Sequence, residues 1–180
     1  MTRALSAFLA SGLAAAAWAQ EAPEAGPGAP VTAETLMRLD AVELEKLYSA
    51  ADPGPIPDGA AAGVANSNPG TGWGSFTSGF FGTLWQGKVF DRANGTLTNR
   101  TSVGTTGSAK VYMGTSRLDG KPAIIIDYAK SDNLLARGVR DEGRQGAPGL
   151  YLGIAYIKFP PLVGSLKKWL YFGLDFSAKP

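Results

Sequence analysis

The 180-residue chain contains neither cysteine nor histidine, which narrows the chemistry open to it. Thiolate nucleophiles, disulfides and thiolate-bound metals are excluded, as are an imidazole base, a Ser-His-Asp triad and His-bound zinc or haem. G-x-S-x-G, P-loop and dinucleotide fingerprints are missing from the sequence, so no metal or cofactor site is expected. What remains is carboxylate, Tyr, Lys, Arg and Ser. The densest polar cluster is Arg137, Arg140, Asp141, Glu142 and Arg144. A guanidinium fork pairs bidentately with carboxylate or phosphate, so an arginine of this cluster aimed into a cavity would hold an anionic head group. Opposite charges at this spacing suit an ordinary solvated face equally well. Asp127 and Asp175 each sit in an otherwise apolar stretch, so each faces outward or is buried and paired. Tyr112, Tyr128, Tyr151, Tyr156 and Tyr171 offer apolar ring faces with a hydroxyl donor, either to line a cavity or to pack. Asp127 with Asp141 or Glu142 is the carboxylate pair that glycoside chemistry would use.

These groups need a scaffold, and composition bounds it. Lys and Arg number 17 against 15 Asp and Glu, a formal net charge of +2, so nothing marks a nucleic-acid footprint. Hydrophobic residues make up 44% and charged residues 18%, within reach of one globular domain. Met1 to Arg3 is a short basic start, Ala4 to Ala17 is apolar and uncharged, and Ala17-Trp18-Ala19 has the small-x-small form of a cleavage site. Residues 1–19 therefore read as a signal peptide, and the protein is expected in the periplasm or outside the cell. Residues 20–34, rich in Pro, Gly, Ala and Glu, read as a disordered leader, and 35–180 as a single domain.

Leu36, Leu39, Val42, Leu44 and Leu47 recur at roughly helical spacing. Asp40 followed by Glu43 has the form of a capping box, which predicts a helix from there to about Ala50, ended by Pro53, Pro55 and Pro57. Trp73, Phe76, Phe80 and Leu84 also step at the helical period, with Phe81 and Trp85 alongside. This predicts a short aromatic helical segment that packs in the core, covers a cavity or touches a membrane.

From Trp85 onward the signals are those of strands: Trp85 to Asp91, Thr96 to Thr101, Ala109 to Gly114, Pro122 to Ala129, Leu150 to Lys158 and Lys168 to Ser177. With a short strand near Ala62 to Asn66 the count is about seven. Asn94-Gly95 and Asp119-Gly120 mark tight turns. A meander of hairpins must dispose of its edges, and closing into a barrel does so. The fold class is thus mainly β: a small antiparallel up-and-down barrel with an N-terminal helix and the aromatic segment. An outer-membrane barrel is an alternative that would show an apolar belt outside and a polar interior.

The order helix, strand, aromatic segment and hairpin-connected strands resembles the lipocalin and fatty-acid-binding barrels. Trp85-Gln86-Gly87-Lys88-Val89-Phe90 resembles the W-x-G-K-x-F element of small bacterial GXWXG-type proteins. LDGKPAIIIDY (Leu118 to Tyr128), VRDE (Val139 to Glu142) and PGLYLG (Pro148 to Gly153) look like a bacterial family of exported proteins with no assigned activity. Barrel and arginine cluster together give the expectation of a small apolar or amphipathic, anionic, lipid-like ligand in the barrel. Arg137, Arg140 or Arg144 would meet its head group, and Asp127, Tyr128, Tyr151, Tyr156 and Trp85 would line the cavity, with possible peripheral membrane contact. An enzyme using Asp, Glu or Tyr chemistry in the barrel mouth is the alternative.

Overall fold

A computed structural model of the chain describes residues 31–67, 84–160 and 162–178. The expected signal peptide, most of the expected leader, and the aromatic segment apart from Leu84 and Trp85 lie outside the described residues.

Two short helices precede the sheet. Helix α1 is Ala33–Leu36, with Thr32 and Thr35 forming a reciprocal cap; it begins within the stretch read as leader. Helix α2 is Ala41–Ala50. The capping box read from the sequence is present: Asp40 accepts from the Glu43 amide, and Glu43 accepts from the Asp40 amide, both at 2.9 Å.

Eight strands follow: β1 Gly59–Asn66, β2 Trp85–Asp91, β3 Thr96–Thr101, β4 Gly104–Thr115, β5 Pro122–Asp127, β6 Val139–Ala147, β7 Leu150–Phe159 and β8 Ser165–Asp175. Each pairs antiparallel with its sequence neighbour. β8 returns to β1 with Ala62 opposite Asp175 and Asn66 opposite Tyr171, closing the barrel and removing both edges.

β6 was not among the expected strands, although the cluster Arg140–Arg144 lies on it. Its sequence, VRDEGRQGA, shows no apolar alternation because both of its faces carry polar side chains. Those side chains are buried nonetheless, since each finds a partner: Asp141, Glu142 and Arg144 are at most 3% exposed. Alternation in hydrophobicity reports a strand only where one face meets water.

Two cores form on the two sides of the wall. Inside the barrel, Phe90, Leu97, Val111, Ile124, Ile126, Phe172 and Leu174 pack together. Outside, Leu36, Leu39, Leu44 and Leu47 of the helical region cover Leu150, Leu152 and Ile154 of β7 and Tyr171 of β8. Each fully buried leucine contributes about 1.5–3 kcal/mol. The outer core explains why LYLGIAYIK is apolar on both faces: odd positions such as Tyr151 point inward, and even ones lie under the helices. On the opposite side of the barrel, outward positions include Lys110 and the partly exposed Thr98, Arg100 and Asp127. An apolar interior with polar residues outside is the reverse of the arrangement expected for an outer-membrane barrel.

Candidate functional site

The strands run so that β1, β3, β5 and β7 end, and β2, β4, β6 and β8 begin, at one rim. The far half of the lumen, around Phe90, Ile124, Ile126, Tyr151 and Leu174, is filled to within a void of about 10 Å³. The rim half holds a cavity of about 240 Å³ that opens to solvent. Its wall is largely apolar, formed by Ala65, Trp85, Ala136, Val139, Ala155, Trp169, Leu170 and Phe172, with Thr101 and Thr106 near the mouth. Glycine makes room for Trp85. A side chain at Gly63 would meet the indole at 2.4 Å and the Gly87 Cα at 2.7 Å, so the ring lies directly on the bare β1 backbone.

A polar cluster crosses the lumen beneath this wall. Lys88 points inward from β2, on the same face as Phe90, and is 3% exposed. Its Nζ donates to Asp141 Oδ2 on β6 at 2.8 Å, to the Tyr128 hydroxyl just beyond β5 at 2.6 Å, and to Asn99 Oδ1 on β3 at 3.0 Å. All three ammonium protons are thereby engaged. Asn99 Oδ1 also accepts from Trp85 Nε1 at 3.1 Å and from the Tyr128 hydroxyl at 3.2 Å, and Asn99 Nδ2 donates to the Gly107 carbonyl. The rings of Tyr128, Phe172 and Trp85 surround the ammonium, with centroids 5.2–5.5 Å away.

Burial works against the Lys88 ammonium, but the charge of Asp141 and the partners around it outweigh that. Its pKa lies above the ordinary lysine value. Burial pushes the Tyr128 phenol up to about 12. One atom of the cluster is left over: Asp141 Oδ1 is buried and has no hydrogen-bond partner among the described residues. Asp141 lines the cavity. An uncompensated carboxylate oxygen is costly to bury, and a donor placed in the cavity beside it would relieve that cost.

Of the residues singled out from sequence, the structure brings Trp85, Tyr128 and Asp141 to this cavity and places the arginines, Asp127, Tyr151 and Tyr156 elsewhere. Arg144 is wholly buried on the outer side of the wall. It forks onto Asp119 with both contacts at 2.7 Å, donates to the carbonyls of Tyr48 and Pro122, and stacks on the Tyr48 ring. Arg140 also faces outward, bonding Glu142 and the Thr115 carbonyl. Arg137, in the 3₁₀ turn Leu134–Gly138 at the rim, is exposed and donates to the Ser131 carbonyl. Asp127 faces outward and accepts from the Ala129 amide. Tyr151 is inside but at the filled end, its hydroxyl on the Pro55 carbonyl. Tyr156 lies in the outer core beneath the helices.

The reason is parity. On β6 the inward residue is Asp141, so Arg140, Glu142 and Arg144 must point out. Of the carboxylate pairs considered for glycoside chemistry, Asp127 and Asp141 lie on opposite faces of the wall; Asp127 and Glu142 share the outer face, where Glu142 is 0% exposed and accepts from Ser116, the Arg117 amide and Arg140.

Sequence reasoning passed over Lys88 and Asn99. The available signal was that Lys88 shares a face with Phe90, an odd place for a charge on a half-buried strand.

The chain matches no protein-family model and no curated protein. A solved structure, a crystal structure of a protein from Thermomonospora curvata, resembles it with a TM-score of 0.52 and 20% sequence identity over 81% of this chain and 93% of that one. At that identity the likeness establishes the barrel fold alone.

Proposed function

We propose that the barrel is a binding protein for a small, mostly apolar, uncharged molecule carrying one hydroxyl or N–H donor. The donor would be received by Asp141 Oδ1, and this buried, unpaired oxygen is the observation that carries the reading. The volume, about 240 Å³, lies below the ~300–1,000 Å³ of typical ligand pockets, so the ligand is smaller than a long-chain lipid. Among the described residues Lys88 is the cation that lines the cavity, and its protons are already committed to Asp141, Tyr128 and Asn99. An anionic head group therefore has no uncommitted cation to meet among the described lining residues, and the lipid-like anion expected from the arginine cluster gives way to a neutral donor.

Acid–base catalysis is the less favoured role. Lys88 and Tyr128 both hold their protons well above neutral pH, far from the poise a general acid or base needs. The reading takes the chain to be exported through residues 1–19, which N-terminal sequencing of the protein from its own cell would check.

The test is calorimetric titration of the wild type and of Lys88→Met/Asp141→Leu with size-matched phenols, alcohols, amides and carboxylates. Replacing a buried ion pair by apolar residues is often neutral for stability, so the double variant should remain folded. A hydrogen bond to a charged group contributes about 1.5–3 kcal/mol, so donor ligands should bind the variant roughly 10–150-fold more weakly. Preferred binding of the carboxylates, or equal affinity in the double variant, would overturn the assignment.

A further inference from the structure

The large hydrophobic side chains that stay exposed are not spread evenly. Ten are found among the described residues, and six of them, Leu84, Val103, Leu134, Phe159, Leu162 and Val163, sit at the rim that surrounds the cavity mouth. They come from four connections that share that end: the start of β2, the β3–β4 turn, the 3₁₀ turn and the β7–β8 turn. Exposure reaches 92% at Val103, 85% at Val163 and 69% at Phe159. The last two connections touch, since a side chain at Gly138 would come within 3.4 Å of the Leu162 amide nitrogen. The first two also touch, the Ser102 amide donating to the Leu84 carbonyl at 3.0 Å, so the exposed apolar tips fall in two adjoining pairs of connections.

Charge is distributed along the same axis. Lys130, Arg137, Lys158 and Lys167 stand around the apolar rim. The acids there, Asp127 and Asp132, are each tied to neighbouring amides or to Ser108. The far end carries Asp52, Asp58, Asp91 and Asp175 against Arg92, Arg117 and Lys121.

From the apolar rim and its basic surround, we infer that this end of the barrel docks on an anionic phospholipid bilayer, mouth inward. Apolar tips entering the acyl boundary and lysines at head-group level are the two forces that hold a protein at such an interface. In that orientation the cavity opens onto the bilayer, and an apolar ligand passes between them without crossing water. The inference stands on the rim alone and is independent of the role given to Asp141.

Co-sedimentation with vesicles tests it, using the protein as its cell processes it. Vesicles of phosphatidylglycerol mixed with phosphatidylcholine are compared with pure phosphatidylcholine. The wild type should bind the anionic vesicles and not the neutral ones. Lys158→Ala/Lys167→Ala should weaken binding roughly 25-fold, about 5-fold for each charge removed. Phe159→Ser/Val163→Ser should abolish it, and Met113→Ser, exposed near the far end of β4, should change nothing. Absence of wild-type binding overturns the inference. So does equal binding by all variants, which would assign the contact to another part of the chain. Self-association of the wild type that Val163→Asp abolishes, without vesicle binding, would replace the bilayer by a second copy of this chain.

Discussion

At the residue scale, two cationic side chains are buried for different purposes. Lys88 crosses the lumen and binds the cavity's polar groups together. Arg144 does comparable work on the outer side, where it joins β6 to the Asp119 turn, the β5 start and the end of α2. Its side chain is wholly inaccessible and does not line the rim cavity, so its contribution belongs to stability. Arg144→Leu leaves the Tyr48 and Pro122 carbonyls without this donor and separates Asp119 from its partner. The variant should lose about 3–5 kcal/mol in urea unfolding while its donor-ligand affinity stays that of the wild type. A drop in affinity at unchanged stability would return Arg144 to the ligand site.

At the element scale, Trp85 holds its place in the cavity wall because β1 and β2 approach closely at Gly63 and Gly87. Gly87 has φ +136°, a conformation L side chains rarely adopt, and a Cβ there would lie 2.0 Å from the Ala61 carbonyl oxygen. Beside it, Gly63 leaves the space in which the Trp85 ring rests against β1. Gly63→Ala would push the indole off that backbone and into the cavity. The expected outcome is a loss of about 1–3 kcal/mol together with weakened ligand binding, read by thermal melting and by titration of the same sample. Unchanged melting and affinity would mean that Trp85 does not depend on this glycine for its place. Capping, turns and helix limits were legible at this scale: Asp40 with Glu43, Asn94-Gly95 and Asp119-Gly120 all act through neighbours a few residues away. β6 was not legible, because its burial depends on partners from β2, the Asp119 turn and α2.

At the scale of the whole molecule, pH reports how the two cores are held. Burial pushes both Tyr48, in the outer core, and Tyr128, in the lumen, up to about 12 from 10.0. Each unfolded phenol loses its proton near pH 10, while its folded counterpart keeps it. The stabilisation is therefore complete below about pH 10 and lost as the pH rises through about 12. Lys88, raised above its ordinary value, contributes in the same direction. Acid acts oppositely at Asp119, whose carboxyl is held below its usual range by the Arg144 guanidinium; that contribution is present at neutral pH and disappears as the pH falls through the lowered value. Urea unfolding across the pH range should show a stability plateau that falls on the alkaline side together with the appearance of tyrosinate absorbance. Early ionisation of all six tyrosines, without unfolding, would contradict the burial assigned to Tyr48 and Tyr128.

The sequence by itself determined the β class, the antiparallel barrel and the helix beginning at Asp40. Each of these follows from local turn chemistry or from a period of two in apolar residues. Tertiary structure alone decided that the barrel closes with eight strands, that VRDEGRQGA is one of them, and that Asp141 faces the lumen while its arginine neighbours face out. Only the fold brings Lys88, Asn99, Tyr128 and Asp141 together, from strands separated by up to 53 positions. The physical reason is the cost of burying charge. An isolated Lys or Asp reads as surface in any local window, and it becomes core only when closure of the barrel supplies its partner.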